Sequence, residues 1–271
     1  MALQIRVAIS NCTTMTKSDE KRSPLKDRPL RYPGQYLDNE IDRIRGNIAF
    51  YIGLVSILIT LSVYEWWHWY IDLPPQPIAA TVVAAVTVVY SYLKITQFRK
   101  QLSYLRLGRD GERIVGQALE EVRQHGYAIF HDVVATGFTV DHVVVSPHGI
   151  FAVETKTYSK PANINATVTF DGEKVTLSGY QPDPKPIQQA IANADWLRRD
   201  VLLASTGKSF AVTPVVVFPG WWVEETSKNE RVWVMNPKML PAKISQLPPS
   251  ITEPDVHLVA FHLSRFVRMS S

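Results

Sequence analysis

The chain has 271 residues, 46% hydrophobic and 20% charged, with a formal net charge of +4. That length holds one good-sized domain plus an appendage, and the mild basic excess is compatible with nucleic acid or anionic lipid without selecting either. The one cysteine, Cys12, excludes an intramolecular disulfide framework and a zinc site built on clustered cysteines, and it fits a reducing compartment.

Residues 1–45 are polar, with Pro24, Pro29 and Pro33 among many charges, and predict a poorly ordered cytoplasmic tail. Its apolar opening is too short for a signal-peptide core, which also makes lipid-modified Cys12 a poor reading. Met15 is an alternative start to Met1. Asn47–Tyr64 and Ile78–Tyr92 carry no charge. A bilayer needs about 18–20 apolar residues, so the first run qualifies and the second does with its flank to residue 95. Trp66, Trp67, Trp69 and Tyr70 between them match an interfacial aromatic belt, and Pro74, Pro75 and Pro77 fit a short exposed turn. Residues 46–95 are therefore expected to form a transmembrane hairpin. Its connecting segment has no Lys or Arg, whereas Arg43, Arg45, Lys94, Arg99 and Lys100 flank the runs. This places both termini on the cytoplasmic side of an inner membrane and residues 96–271 in a cytosolic domain.

From Thr96 to Gln124 the apolar spacing is helical. Gly108 and Gly111 predict a break, so the domain's first helix is expected at Asp110–His125 with Glu112 in its first turn. Tyr127–Val134 reads as a strand. Asp141–Lys156 then reads as a hairpin around Pro147, His148 and Gly149, with Val143–Val145 and Ile150–Val153 apolar enough to be covered on both faces. A two-residue loop of Pro147 and His148 sets Asp141 directly opposite Glu154; inclusion of Gly149 makes them near-diagonal neighbours. Glu154 and Lys156, two apart, share a face. Two carboxylates and an ammonium on an apolar hairpin are costly unless something uses them, and a divalent cation such as Mg²⁺, which takes oxygen ligands and keeps waters, is one use. The competing reading is a solvated strand face with a weak ion pair. His131 and His142 lack metal-ligand spacing and read as structural or polar-surface residues.

Asp171-Gly172 marks a second hairpin within Asn163–Gly179. A proline-rich loop leads to a helix from Ile187 to about Leu203. Strands follow at Phe210–Phe218 and Arg231–Met235, then a short helix from Asn236-Pro237 to about Ile244. Trp221 and Trp222 are expected to pack as core lids. Pro254–Met269 reads as an amphipathic helix or mixed element. This order fits an α/β sandwich around a mixed central sheet, preceded by two transmembrane helices.

Asp141 followed by Glu154-Thr155-Lys156 at a strand end resembles the PD-(D/E)xK nuclease superfamily, and more closely the nuclease-related domain (NERD) family. Gly108-Arg109-Asp110-Gly111-Glu112 is similar to that family's Gly-x-x-Gly-Glu signature, Pro186-Ile187-Gln188-Gln189 to its Pro-x-x-Gln, and Pro214–Pro219 to its following strand. Val140 departs from the proline that names the superfamily, and Lys185 from the family's usual Asn. The resemblance implies a restriction-endonuclease-like fold and metal-dependent cleavage of nucleic acid, with DNA the expected substrate. It implies that Asp141, Glu154 and the Thr155 carbonyl hold Mg²⁺ or Mn²⁺. Lys156 would orient or help deprotonate the attacking water and steady the developing charge. Glu112 would complete the ligand set or hold a second ion, with Gln189 in support. The alternative is an inactive membrane-anchored nucleic-acid-binding or adaptor protein that keeps the fold, or a domain for other anionic ligands.

Overall fold

Apolar residues on both sides of successive strands require a layer on each face. The computed structural model of the chain describes residues 30–71, 77–160, 166–226 and 231–269. In chain order these form α1 (Gln35–Tyr70), α2 (Pro77–Arg123), β1 (Ala128–Val134), β2 (Thr139–Ser146), β3 (Gly149–Thr155), β4 (Thr167–Phe170) and β5 (Val175–Leu177). They continue with α3 (Lys185–Trp196), prolonged by a π-helical stretch Leu197–Leu203 and a turn Ala204–Thr206. Next come β6 (Val212–Val217), β7 (Trp222–Glu225), β8 (Trp233–Met235), a 3-10 turn Pro237–Met239, α4 (Leu240–Ser245) and α5 (Glu253–Met269).

The main sheet has the order β1-β2-β3-β6-β8. β1, β2 and β3 are antiparallel, while β3 with β6 and β6 with β8 are parallel. The parallel step needs a long crossover, and β4, β5 and α3 supply it. A smaller sheet runs β5-β4-β7. Strand alternation sends Ile129, Val144 and Phe151 to one face, against Val115, Leu119 and Val122 of α2 and Leu240 and Ile244 of α4. It sends Phe130, Val143 and Ala152 to the other, against Ala194, Leu197 and the α5 residues Val259 and Leu263. The result is the expected α/β sandwich on a mixed sheet, and Glu253–Met269 is helical throughout.

α1 and α2 are both long and apolar enough to cross a membrane. They pack together through Ile41, Ile44 and Leu102, with Ile48, Phe98 and Leu105 alongside. Further along, Ser62 Oγ and Thr81 Oγ1 lie 3.1 Å apart, and Trp66 Nε1 donates to Thr81 Oγ1. Pro77 opens α2, whereas Pro74 and Pro75 fall outside the described residues.

Three expectations are corrected. The break at Gly108 and Gly111 is absent: α2 runs unbroken from Pro77 to Arg123. These glycines make room for neighbours instead. A Cβ on Gly111 would collide with Thr157 Oγ1, and one on Gly108 would approach Leu37 Cδ1 to 3.3 Å. The second correction concerns the tail. Residues 1–29, with Cys12 and Met15, lie outside the described residues, but α1 begins at Gln35. Its polar residues lie beside Ile41 and Ile44, which are buried against α2. Finally, Trp221 is buried but Trp222 is 65% exposed, because neighbouring residues at the start of a strand point to opposite faces.

Candidate functional site

The site grows out of the β2–β3 turn. Ser146 pairs with Gly149, so Pro147 and His148 alone form the loop. Ser146 Oγ accepts from the His148 amide at 3.2 Å and donates to the Gly149 carbonyl at 3.1 Å. Gly149 adopts φ +145, a region glycine enters without steric cost. The ladder then runs from Val145↔Ile150 to His142↔Val153. One further step sets Asp141 opposite Glu154, at the open end of both strands.

The polar side chains meet there. The Thr155 amide donates to Asp141 Oδ2 at 2.7 Å. Lys156 Nζ donates to Glu154 Oε1 and to Gln189 Oε1, both at 2.8 Å. Asn193 Nδ2 donates to Glu154 Oε2 at 2.8 Å. Gln189 and Asn193 are one helical turn apart on α3, so one helix face serves both Lys156 and Glu154. Gln189, which the resemblance puts in a supporting role, is the lysine's partner.

Glu112 comes from α2. It is three residues before Val115 and shares its inward face. It therefore sits mid-helix, not in the expected first turn. The residue is 8% exposed, and its Oε2 has no hydrogen-bond partner. Burial, reinforced by the charges of Asp132 and Glu154, pushes its carboxyl up to about 8. Burial and then the neighbouring Glu154 and Glu112 hold Asp141 well above the usual carboxylate range, against the pull of the Thr155 amide. Burial also raises Glu154, although Lys156 and Asn193 oppose it. For Lys156, burial alone would lower the pKa, but Glu154 and Asp141 outweigh it and hold the ammonium above its ordinary value.

Crowded buried carboxylates with raised pKa values have unmet demand for positive charge. Among the described residues, no three His, Cys, Asp or Glu side chains are gathered in a metal-holding group. A hard cation that keeps several waters needs only one or two carboxylates. Asp141 and Glu154 supply those, and the partnerless Glu112 oxygen is an oxygen donor in the same electrostatic cluster. The residues present fit such an ion. Thr155 sits between Glu154 and Lys156 at the end of β3, paired with Val217.

Two buried polar residues near the site escaped sequence reasoning. Asn193 was detectable only as a polar residue one turn after Gln189. Asp132, buried in β1, gave no signal beyond a charge within an apolar strand. His131 and His142 are structural and not on the surface: both are buried, their Nδ1 atoms lie 2.8 Å apart, and His131 Nε2 is 3.3 Å from Glu120 Oε1. Burial holds both below the ordinary histidine range. Arg198 is paired with Asp195 at 3.1 Å.

Residues 107–219 match the model of the nuclease-related domain (NERD) family. The match runs from late α2 to just past β6 and includes Glu112, Asp141, Glu154, Thr155, Lys156, Gln189 and Asn193. No curated protein and no solved structure matches the chain.

Proposed function

We propose that the chain is a membrane-anchored, Mg²⁺- or Mn²⁺-dependent nuclease that hydrolyses phosphodiester bonds of nucleic acid, DNA being the expected substrate. The observation that carries this reading is the convergence of Asp141, Glu154 and Lys156 at the open end of β2 and β3, within a nuclease-related domain. Asp141 and Glu154, with the Thr155 carbonyl, would hold the ion, and Glu112 would complete the set. A cation held there would supply positive charge to the scissile phosphate and make the attacking water more acidic. Lys156 orients that water and steadies the charge developing on phosphorus. Its raised pKa supports this role over that of a base, because it stays an ammonium at neutral pH. Gln189 fixes the lysine, and Asn193 fixes Glu154. Water attack forms one P–O bond as the bond to the leaving sugar oxygen breaks, the water giving up a proton to solvent and the sugar oxygen taking one from solvent.

In the membrane part of the reading, α1 and α2 span the inner membrane through residues 47–64 and 78–95. Arg43, Arg45, Lys94, Arg99 and Lys100 support a cytoplasmic position for both termini and the domain. A reporter fused to the C-terminus should read as cytoplasmic; a periplasmic signal would overturn the orientation. The second reading is an inactive anchored binder that keeps the same fold. To separate the two, the detergent-solubilised full chain is offered single- and double-stranded DNA and RNA with Mg²⁺ or Mn²⁺. Cleavage by wild type and its loss by about 100-fold or more in Lys156→Ala and Glu154→Gln are expected. Absence of cleavage in all three, with salt-sensitive binding retained, would establish the binder instead.

A further inference from the structure

Asp132 has no part in the proposed reaction, yet its backbone and side chain are unusual. The β1–β2 ladder pairs His131 with His142 and Val133 with Val140, so Asp132 falls opposite Asp141. It makes no ladder pair there. Its φ is +49, the only positive value at a non-glycine among the described residues. Asp and Asn are the side chains that best tolerate this region, and the surroundings must hold it there.

What holds it is the start of α1. That helix has Gly34 at its N-cap and no side-chain cap of its own. Asp132 Oδ2 accepts instead from the Gln35 amide at 2.8 Å and from the Tyr36 amide at 3.5 Å. A residue 97 positions later thus satisfies the first orphan donors of the helix. The Asp132 carbonyl accepts from Arg31 Nη1 at 3.0 Å. Around this contact, Pro33 lies so close to Gly116 that a Cβ there would collide with it. Asp38 pairs with Arg109 at 3.3 Å and Arg113 at 2.7 Å. Asp132 itself is 2% exposed.

We infer that Asp132 is a positioning residue that latches the first turn of α1 onto the strand bordering Asp141, making the helix pair and the candidate site one mechanical unit. The latch stands on these contacts alone; that it fixes the site's attitude to a bilayer rests on the proposed membrane anchoring. The domain is thereby held at two points, by the continuous α2 and by the docked start of α1.

Hydrogen exchange on the full chain in lipid nanodiscs tests this without requiring cleavage. Failure of the nuclease reading would therefore leave the latch standing, and the reverse. In Asp132→Ala, the amides of Gln35 to Asp38 should exchange about tenfold faster, as expected for a lost cap, and those around Asp141 should exchange faster with them. Asp132→Asn should stay within about threefold of wild type, since its carboxamide oxygen accepts the same amides and Asn tolerates the backbone. Should Asp132→Ala not fold, the double variant Arg109→Ala/Arg113→Ala removes the two arginine partners of Asp38 without touching β1, and it should release the same α1 amides. Unchanged protection of Gln35 to Asp38 in the folded variants, loosening of β1 without α1, or equal release in Asn and Ala variants would overturn the latch.

Discussion

Glu154 is held through both oxygens, by Lys156 on one and Asn193 on the other. Asn193→Ala leaves the Oε2 side without its buried donor and should lower Mg²⁺-dependent cleavage about 10–100-fold. Asn193→Asp should do worse, since it adds a carboxylate to a crowded acidic site; initial rates on a labelled duplex check both. Glu112 makes a prediction about pH. Its folded pKa of about 8 exceeds the ordinary 4.5, so the folded chain binds its proton more tightly than the unfolded chain does. The metal-free protein should therefore lose stability as pH rises from about 4.5 through about 8. Glu112→Gln should raise the metal-free Tm by several degrees at pH 8.5 and by little at pH 5, measured by thermal melts in chelator. Asp141, Glu154 and Lys156 were legible because their charges fall on one apolar hairpin with the spacing of a known motif, whereas Asp132 is a lone charge in its strand. Asn193 was not, because an asparagine on a helix reads the same whether its partner is water or a buried carboxylate.

At the level of elements, α2 shows where local rules mislead. Glycine disfavours helix interiors by roughly 0.5–1 kcal/mol, which is why Gly108 and Gly111 looked like a break. Packing overrides that preference, since Gly111 lets α2 approach Thr157. Gly111→Ala should destabilise the protein by about 1–3 kcal/mol, and Thr157→Ala should recover part of it in a double-mutant cycle. Gly46 in α1 has nothing within 4 Å of a built Cβ, so Gly46→Ala should instead stabilise by about 0.5–1 kcal/mol. Chemical denaturation measures all four variants. The β2–β3 hairpin was legible to within two registers, and the Ser146↔Gly149 pair selects the one with a two-residue loop. β7 was not: Trp222–Glu225 is short and pairs in parallel with β4, far earlier in the chain.

For the whole molecule, the length of α2 has a consequence. From residue 96 to Glu112 an unbroken helix rises about 25 Å, and the paired start of α1 stiffens that stalk through Ile41, Ile44 and Leu102. The candidate site would stand at that fixed distance from the bilayer. The full chain should resist extraction by high salt and require detergent, whereas a chain lacking residues 47–92 should fractionate as soluble. Apart from β7, the order of helices and strands was readable from hydrophobic periodicity. The sheet order was not, because the parallel pairing of β3 with β6 follows from the packing of α3 and not from any adjacent turn.

The central claim is that Asp141 and Glu154, beside Lys156, form one cation-binding hydrolytic centre. The most direct measurement is a Mn²⁺ titration of the solubilised full chain followed by electron paramagnetic resonance, in wild type, Asp141→Asn and Glu154→Gln. A saturable ion in wild type, lost or weakened about tenfold or more in either variant, is the predicted result. Equal Mn²⁺ uptake by all three chains, or none by any, would contradict it.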